Sequence, residues 1–277
     1  MKPTLKNYDL TDSVAVVTGS AGLLGIQHAL ALAELGASVV MTDIRTDAAQ
    51  KAAETVGSEY ATPVLALLLD VTDIESIRAA YQRIIDRFKR IDILINNAAI
   101  DPKVSNDGGL IEASRFENLS LDSWNTQVAV GLTGAFLCCQ VFGFHMAAHG
   151  GGVILNIASD LSVIAPDQRL YRKDNLPDDR QPVKPATYSV IKTGLIGLTR
   201  YLATYWADKG VRVNALSPGG VYNNQPDAFV TRLANLIPMG RMATLAEYRG
   251  AIQFLCSNAS SYLTGQNILM DGGRSVL

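Results

Sequence analysis

A glycine-rich turn near the amino terminus constrains the fold more than any other feature of this chain. A short apolar run ends at Thr18, and Gly19, Gly22 and Gly25 follow before a segment with helical periodicity. Glycines at these positions permit tight backbone torsions and let a diphosphate approach free N–H groups at a helix amino terminus. The pattern predicts a strand, turn and helix that bind a dinucleotide. The alternative is a connection that only packs helix on strand.

Short apolar runs alternate with longer helical patterns along the whole chain. Strands are predicted at about 13–18, 37–43, 63–69, 91–96, 152–158, 210–216 and 267–270. Helical patterns lie near 23–35, 46–56, 73–89, 121–148, 188–207 and 244–257. This alternation is typical of βαβ units, so we predict an α/β, doubly wound Rossmann fold with a seven-stranded parallel sheet. No linker-like segment divides the chain, which predicts a single domain over 1–277.

The composition favours a protein that acts on small molecules. The 277 residues are 48% hydrophobic and carry a formal net charge of -2, with no long basic run, so neither nucleic acid nor an anionic membrane is indicated as a partner. No run approaches the roughly 18 consecutive apolar residues of a membrane span, and the amino terminus lacks a signal-peptide pattern. The three cysteines show no disulfide or metal-binding spacing. A cytoplasmic location is therefore expected.

A tyrosine and a lysine four residues apart, together with an upstream serine and the glycine-rich turn, indicate redox chemistry on a carbonyl or hydroxyl group. Tyr188 and Lys192 open a helical pattern, so they share one helix face, and Ser159 lies upstream of them. A nearby ammonium favours the phenolate and lowers a phenol pKa that starts near 10. Alone, the same spacing is also compatible with two side chains on a helix surface.

The order of four short segments resembles that of the short-chain dehydrogenase/reductase family. The segments are 16–25, 96–99, 156–159 and 188–192. The resemblance covers the chain from about residue 10 to the Asp-Gly-Gly sequence at 271–273. The stretch 187–225 is similar, more particularly, to the flagellin-modification (sugar-biosynthesis) oxidoreductases of that family.

The resemblance implies a role for each of the three polar residues. Ser159 hydrogen-bonds the reacting oxygen, Tyr188 donates or removes its proton, and Lys192 supports the tyrosine and holds the nicotinamide ribose. Hydride then passes directly between substrate carbon and nicotinamide, while the protein supplies orientation and electrostatics. Helices 121–148 and 188–207 are expected at subunit interfaces, which implies a homo-tetramer or homo-dimer.

An acidic residue at the end of the second strand favours NAD over NADP. Asp43 follows Gly25 at nearly the spacing of the residue that binds the ribose hydroxyls, and its charge repels a 2′-phosphate. Arg45 is read as an exposed loop charge, although a guanidinium there could contact a phosphate. Asp70 is expected near adenine or, alternatively, as a helix N-cap. The full set implied for the cofactor is Gly19, Gly22, Leu24, Gly25, Asp43, Asp70, Val71, Asn97, Ala98, Tyr188, Lys192, Pro218, Gly219 and Val221.

One residue departs from the family pattern at the predicted site. Gly131 stands where relatives carry an asparagine that completes a proton relay through Lys192. Two interpretations remain open: a flexible helix position, or a main-chain carbonyl that still anchors the relay water. His145 and His149 have a metal-compatible spacing, but no third ligand is evident and no metal is predicted.

The segment between Ser159 and Tyr188 is longer than in most relatives. Residues 165–185 are rich in proline and charge, which predicts a surface insertion whose ends lie beside two catalytic side chains. We interpret it as a lid in which Arg169 and Arg172 help hold an oxygen-rich or anionic substrate. A passive loop is the alternative.

These features predict an NAD(H)-dependent oxidoreductase that acts on a polar hydroxyl or ketone of a sugar or sugar derivative. One alternative is a 3-oxoacyl thioester reductase, for which NADP preference would be expected. A second is a non-catalytic dinucleotide sensor or scaffold. Gly131 argues for the second, and the presence of Ser159, Tyr188 and Lys192 argues against it.

Overall fold

Seven parallel strands form one sheet at the centre of the molecule. The computed structural model describes residues 3–100, 114–174 and 176–277. The strand order is β3-β2-β1-β4-β5-β6-β7. The first three strands are therefore added toward one side of the sheet and the last four toward the other, and this order switches between β1 and β4. The strands are β1 Val14–Thr18, β2 Ser38–Asp43, β3 Val64–Leu68, β4 Ile93–Asn96, β5 Gly152–Ile157, β6 Val211–Pro218 and β7 Asn267–Met270. The predicted doubly wound Rossmann sheet is confirmed.

Helices cover both faces of this sheet. They are α1 Pro3–Lys6, α2 Gly25–Glu34, α3 Thr46–Glu59, α4 Ile74–Phe88, α5 Leu121–Ala148, α6 Ala186–Tyr205, α7 Asp227–Ala234 and α8 Arg249–Cys256. One buried cluster joins α2, α3 and α8 to the sheet, and a second joins α4, α5 and α6 to the other face. Strands covered on both faces need apolar side chains on both, and this explains the continuous apolar runs in the sequence.

Helix α5 is the one described helix long and apolar enough to cross a membrane. About 44% of its most apolar window is buried inside the protein. Phe142 and Met146 of α5 pack in the cluster beneath the sheet. This packing is that of a core helix, and α5 also lies against α6. Two short π-helical stretches, Ala129–Thr133 and Cys139–Gly143, interrupt its regular winding.

The insertion at 165–185 is folded onto the rest of the protein, as far as its described residues show. It contains the 3-10 turns Gln168–Tyr171 and Asp178–Arg180. Leu170 is buried in a small cluster with Leu233 and residues that follow α7. The insertion therefore has an apolar anchor, which its charged composition does not predict. Residue 175 lies outside the described residues.

Candidate active site

The predicted catalytic residues converge at the carboxyl end of the sheet. Ser159 follows the end of β5, whereas Tyr188 and Lys192 lie on the first turns of α6. Ligands of doubly wound folds bind outside the carboxyl ends of the strands, at the point where the strand order reverses. The fold thus brings residues that are far apart in the sequence together at the carboxyl end of the sheet.

Lys192 is held beside Tyr188 by a main-chain carbonyl. Its side chain is buried, and Nζ donates a hydrogen bond to the carbonyl of Ile157 at 2.7 Å. The same Nζ lies 5.7 Å from the centroid of the Tyr188 ring. The end of β5 therefore fixes a positive charge near the phenol, where it favours negative charge on the phenol oxygen.

A second lysine, which sequence reasoning missed, lies over the same ring. Lys184 Nζ is 4.0 Å from the centroid of the Tyr188 ring, within cation–π range. Lys184 comes from the last part of the insertion and precedes Tyr188 by four residues, as Lys192 follows it by four. The equal spacing on both sides of Tyr188 is the sequence signal for this contact. Pro185 obscures that signal, because it separates Lys184 from the start of α6.

The side chain of Ser159 is oriented by its neighbours. Its Oγ donates to Asp160 Oδ1 at 2.9 Å and accepts from the backbone N–H of Leu161 at 3.2 Å. Ser159, Asp160 and Leu161 are all buried. The Ser159 hydroxyl is therefore held by two partners. One of them is the Asp160 carboxylate, which sequence reasoning did not single out.

The glycine-rich turn has the close approaches that a dinucleotide site requires. Gly19 has a φ of +59°, and a Cβ there would lie 2.8 Å from Ala98 Cα. A Cβ on Gly25 would lie 2.5 Å from the carbonyl oxygen of Gly19. Within the described residues, no side chain caps α2 at Leu24, so its amino terminus faces the turn uncovered. Gly22 completes the turn by donating its N–H to the Gly19 carbonyl. These features fit a diphosphate.

Asp43 ends β2 beside this turn, and its side chain is almost fully buried. Oδ2 accepts from the N–H of Ala21 at 3.3 Å, while Oδ1 accepts from the N–H of Arg45 at 3.0 Å. The Arg45 guanidinium, which is largely exposed, also contacts Oδ1 at 3.4 Å. The carboxylate is thus fixed at the position expected for a ribose ligand, and Arg45 directs its charge toward Asp43.

Asn97 and Ala98, which are also predicted to contact the cofactor, lie against the glycine-rich turn. Asn97 donates through Nδ2 to the carbonyls of Thr18 and Gly19, so its side chain holds the turn in place. Ala98 limits the space above Gly19. Asn96 is buried and donates to Asn156 Oδ1 at 2.8 Å, so its side chain supports the core between β4 and β5.

Two further predicted cofactor segments lie at the carboxyl ends of β3 and β6. Asp70 accepts from the N–H of Thr72 at 2.8 Å, whereas the N-cap of α4 is Asp73, so the alternative N-cap role of Asp70 is wrong. Val71 is buried beside α5. On the other side, Pro218 ends β6, and Gly219 packs against Asp271, where a Cβ would be 2.7 Å from Cα. Val221 follows and pairs with Ala243.

Comparison with known proteins agrees with this geometry. The family model described as "short chain dehydrogenase" matches residues 13–171, and the model described as "Enoyl-(Acyl carrier protein) reductase" matches residues 180–275. The chain belongs to the short-chain dehydrogenase/reductase family. It is therefore an oxidoreductase that uses a nicotinamide dinucleotide.

Relatives within this family include dehydrogenases of small polyols. The chain is 34% identical over 276 residues to the NAD-dependent glycerol dehydrogenase of Listeria innocua, covering 98% of this chain and 97% of that protein. It is 32% identical to the D-threitol dehydrogenase of Mycolicibacterium smegmatis, with 98% and 95% covered. A gluconate 5-dehydrogenase from Burkholderia cenocepacia, solved with NADP and tartrate, has a TM-score of 0.84 at 29% identity, covering 99% of each chain.

Gly131, which is expected to depart from the family pattern, lies at a close contact between two helices. The residue is buried in the first π-helical stretch of α5, and a Cβ there would lie 2.8 Å from Ile191 Cγ2. Ile191 directly precedes Lys192 on α6. The glycine therefore permits close approach of α5 to the catalytic helix, a role that neither sequence interpretation included.

The two arginines predicted to hold substrate pair within the insertion. Arg169 forms a bidentate ion pair with Asp167, at 2.7 Å for the shortest contact, and its side chain is 81% exposed. Arg172 pairs with Asp178. A substrate anion would have to compete with these carboxylates, and the role of Arg169 and Arg172 in substrate binding stays a prediction.

The rings of His145 and His149 stack on each other, an arrangement that does not direct both toward one metal ion. Their ring centroids are 4.1 Å apart, and His145 Nδ1 lies 3.1 Å from the hydroxyl of Tyr81. Burial and the neighbouring His149 lower the pKa of His145. In the described residues, no group of three or more His, Cys, Asp or Glu side chains is arranged to hold a metal ion.

Proposed function

We propose that this protein is an NAD-dependent dehydrogenase that interconverts a hydroxyl and a ketone on a polyol or related sugar derivative. The observation that carries the proposal is the convergence of Ser159, Tyr188 and Lys192 beside a dinucleotide turn that ends near Asp43. The glycerol and threitol dehydrogenases among its relatives support a small, hydroxyl-rich substrate.

The residues of this chain would divide the chemistry as follows. The glycine-rich turn and Asp43 would hold NAD, which would supply the acceptor for the hydride that leaves the substrate carbon during oxidation. Tyr188, as phenolate, removes the hydroxyl proton, and the positive charges of Lys192 and Lys184 stabilise that phenolate. Ser159 hydrogen-bonds the same oxygen and holds it in line with the tyrosine. The products are a ketone, NADH and one proton, which passes from the tyrosine to solvent.

The preference for NAD rests on the fixed Asp43 carboxylate. Its two oxygens can accept hydrogen bonds from the adenosine ribose hydroxyls, and its charge repels a 2′-phosphate. Because Arg45 is paired with Asp43, its guanidinium partly offsets this repulsion. Arg45 is largely exposed and contacts only one carboxylate oxygen, so we expect the carboxylate to dominate and NAD to bind more tightly than NADP.

Asp43→Ala is expected to weaken NAD binding about 10- to 100-fold, the cost of losing hydrogen bonds to a charged acceptor. NADP binding should weaken less or improve, because the repulsion of phosphate disappears at the same time. Fluorescence titration of both cofactors measures the change. Asp86→Ala, on the exposed face of α4, is the matched control. Tighter binding of NADP than NAD to the unmodified protein would overturn the assignment.

The substrate class is tested by a spectrophotometric screen. Linear polyols, including glycerol and threitol, are offered with NAD, and the corresponding ketoses with NADH. A 3-oxoacyl thioester is offered with each reduced cofactor. The proposal expects turnover of at least one polyol–ketose pair and little with the thioester. Thioester reduction with NADPH as the best reaction would favour the 3-oxoacyl thioester reductase instead.

We also propose that the protein self-associates as a tetramer or dimer and acts on its small-molecule substrate in the cytoplasm. Apolar side chains on the outer faces of α5 and α6 support the first part. Those exposed to solvent include Leu121, Phe136, Phe144, Tyr201 and Tyr205. Burial of these side chains in an interface would stabilise an assembly. Light scattering at micromolar concentration should give a multiple of the mass of one chain, and a monomer would contradict the proposal.

A further inference from the structure

A buried ion pair lies directly behind the Ser159 hydroxyl. Arg274 Nη1 is 2.8 Å from Asp160 Oδ2, and the two side chains are 9% and 5% exposed. The other oxygen of the carboxylate, Oδ1, accepts the Ser159 hydroxyl and the N–H of Leu161. A chain of contacts therefore runs from the carboxyl-terminal segment through Asp160 to the catalytic serine.

The carboxyl-terminal turn is built so that it presents Arg274. Asp271 accepts from the N–H of Gly273 through Oδ1 at 2.9 Å and from the N–H of Ser275 through Oδ2 at 2.7 Å. Gly273 has a φ of +90°, which favours glycine at that position. These contacts fix the backbone on both sides of Arg274, so the guanidinium reaches Asp160 from a preformed turn.

The charge of Asp160 creates a conflict that Arg274 can resolve. An ionised carboxylate only accepts hydrogen bonds, so the Ser159 proton points at Asp160. A bond to an unpaired, buried carboxylate is strong and would hold that proton away from the substrate oxygen. A guanidinium on the second carboxylate oxygen withdraws negative charge and weakens the first oxygen as an acceptor.

We propose that Arg274 is a positioning residue that frees the Ser159 hydroxyl to donate to the reacting oxygen. Asp160 holds the serine Oγ in place, and Arg274 keeps that hold weak enough for the proton to turn toward the negative charge that develops on the substrate. The inference rests on the proposed dehydrogenase function. It predicts that the charge of Asp160 harms catalysis only when Arg274 is absent.

The test compares charge removal at one and at both positions. Arg274→Met leaves the Asp160 carboxylate unpaired, so kcat for polyol oxidation should fall at least tenfold while the Kd for NADH changes less than twofold. Adding Asp160→Asn to Arg274→Met removes the acceptor charge and should restore kcat to within threefold of the unmodified protein. Arg274→Lys keeps the charge and should stay close to the unmodified rate. Arg90→Met, in the Arg90–Asp92 pair that precedes β4 at the amino ends of the strands, is the control.

A double-mutant cycle with Ser159→Ala separates positioning from general damage. If Arg274 acts through the serine, Arg274→Met should change the residual rate of Ser159→Ala less than twofold. An undiminished tenfold loss in that background would overturn the proposal, as would a failure of Asp160→Asn to restore kcat.

Two further outcomes also decide the proposal. If Arg274→Met does not fold, the Asp160→Asn/Arg274→Met protein, which leaves no unpaired buried charge, is assayed alone, and a tenfold loss of its kcat would refute the role. Absence of any polyol turnover in the unmodified protein would overturn the proposed function together with this inference. Normal turnover that does not respond to Arg274→Met would overturn this inference alone.

Discussion

Replacing Gly131 with alanine is expected to destabilise the protein, although alanine has the higher helix propensity. The added Cβ would lie 2.8 Å from Ile191 Cγ2, whereas ordinary contacts begin at 3.4 Å, so the two helices must separate by about 0.6 Å. Ile191 is buried and β-branched, so its Cγ2 cannot rotate away easily. Overpacking costs about 1–3 kcal/mol, and alanine returns about 1 kcal/mol of helix propensity.

The expected net loss is about 1 kcal/mol, or a decrease in Tm of about 2–4 °C. Gly57→Ala is the matched control, because its Cβ would meet only Val64 Cγ2 at an ordinary 3.8 Å within α3. That change should raise the free energy of unfolding by about 0.5–1 kcal/mol. The two substitutions are chemically identical, so opposite signs would isolate the contact with α6.

Denaturant unfolding followed by circular dichroism measures both changes. In an Ile191→Ala background the obstructing Cγ2 is gone, so Gly131→Ala should no longer destabilise the protein. Gly131→Asn, which introduces the asparagine expected from the family resemblance, should be more harmful than Gly131→Ala because it adds polar atoms to the same closed space. A Gly131→Ala protein as stable as the unmodified one would refute the packing argument.

Two other predictions concern pH and the insertion. Burial lowers the pKa of His28 to about 3, so the unfolded chain binds this proton between about pH 6.5 and 3 and the folded protein does not. The free energy of unfolding should therefore fall by about 2 kcal/mol from about pH 8 to pH 5. In His28→Leu the free energy of unfolding should depend less on pH over this range. The same pH dependence in both proteins would contradict the lowered pKa of His28. Replacing residues 165–185 with a short Gly-Ser connection should spare NAD binding but impair the polyol more than a small generic ketone. Unchanged kcat/KM for the best substrate would make the insertion a passive loop.

The sheet could be predicted because its sequence signal is local. Strands buried on both faces need uninterrupted apolar runs, and glycines mark the turn after β1, so each predicted strand lies close to the observed one. The ends of the helices were predicted less closely: α8 begins at Arg249, five residues after the predicted start at 244. Helix α7 was not predicted, because Leu233 is its single buried side chain and so small an apolar face leaves little periodicity.

The contacts that tune the site could not be predicted, because they join distant parts of the chain. Arg274 and Asp160 are 114 residues apart, and neither has a local pattern that names the other. The reason for Gly131 appears only when α5 and α6 are placed together. Lys184 had a spacing signal, but its place over Tyr188 depends on how the insertion folds. Sequence motifs predict the reacting groups, whereas tertiary packing determines their surroundings.

The most direct measurement is the rate of NADH formation by Tyr188→Phe with the best polyol found for the unmodified protein. We predict that removal of this hydroxyl abolishes proton transfer, so kcat falls by at least about 100-fold. The Kd for NADH, measured by fluorescence on the same sample, should change less than twofold and would show that the site is intact. A Tyr188→Phe protein with unmodified turnover would contradict the assignment of Tyr188 as the catalytic acid and base.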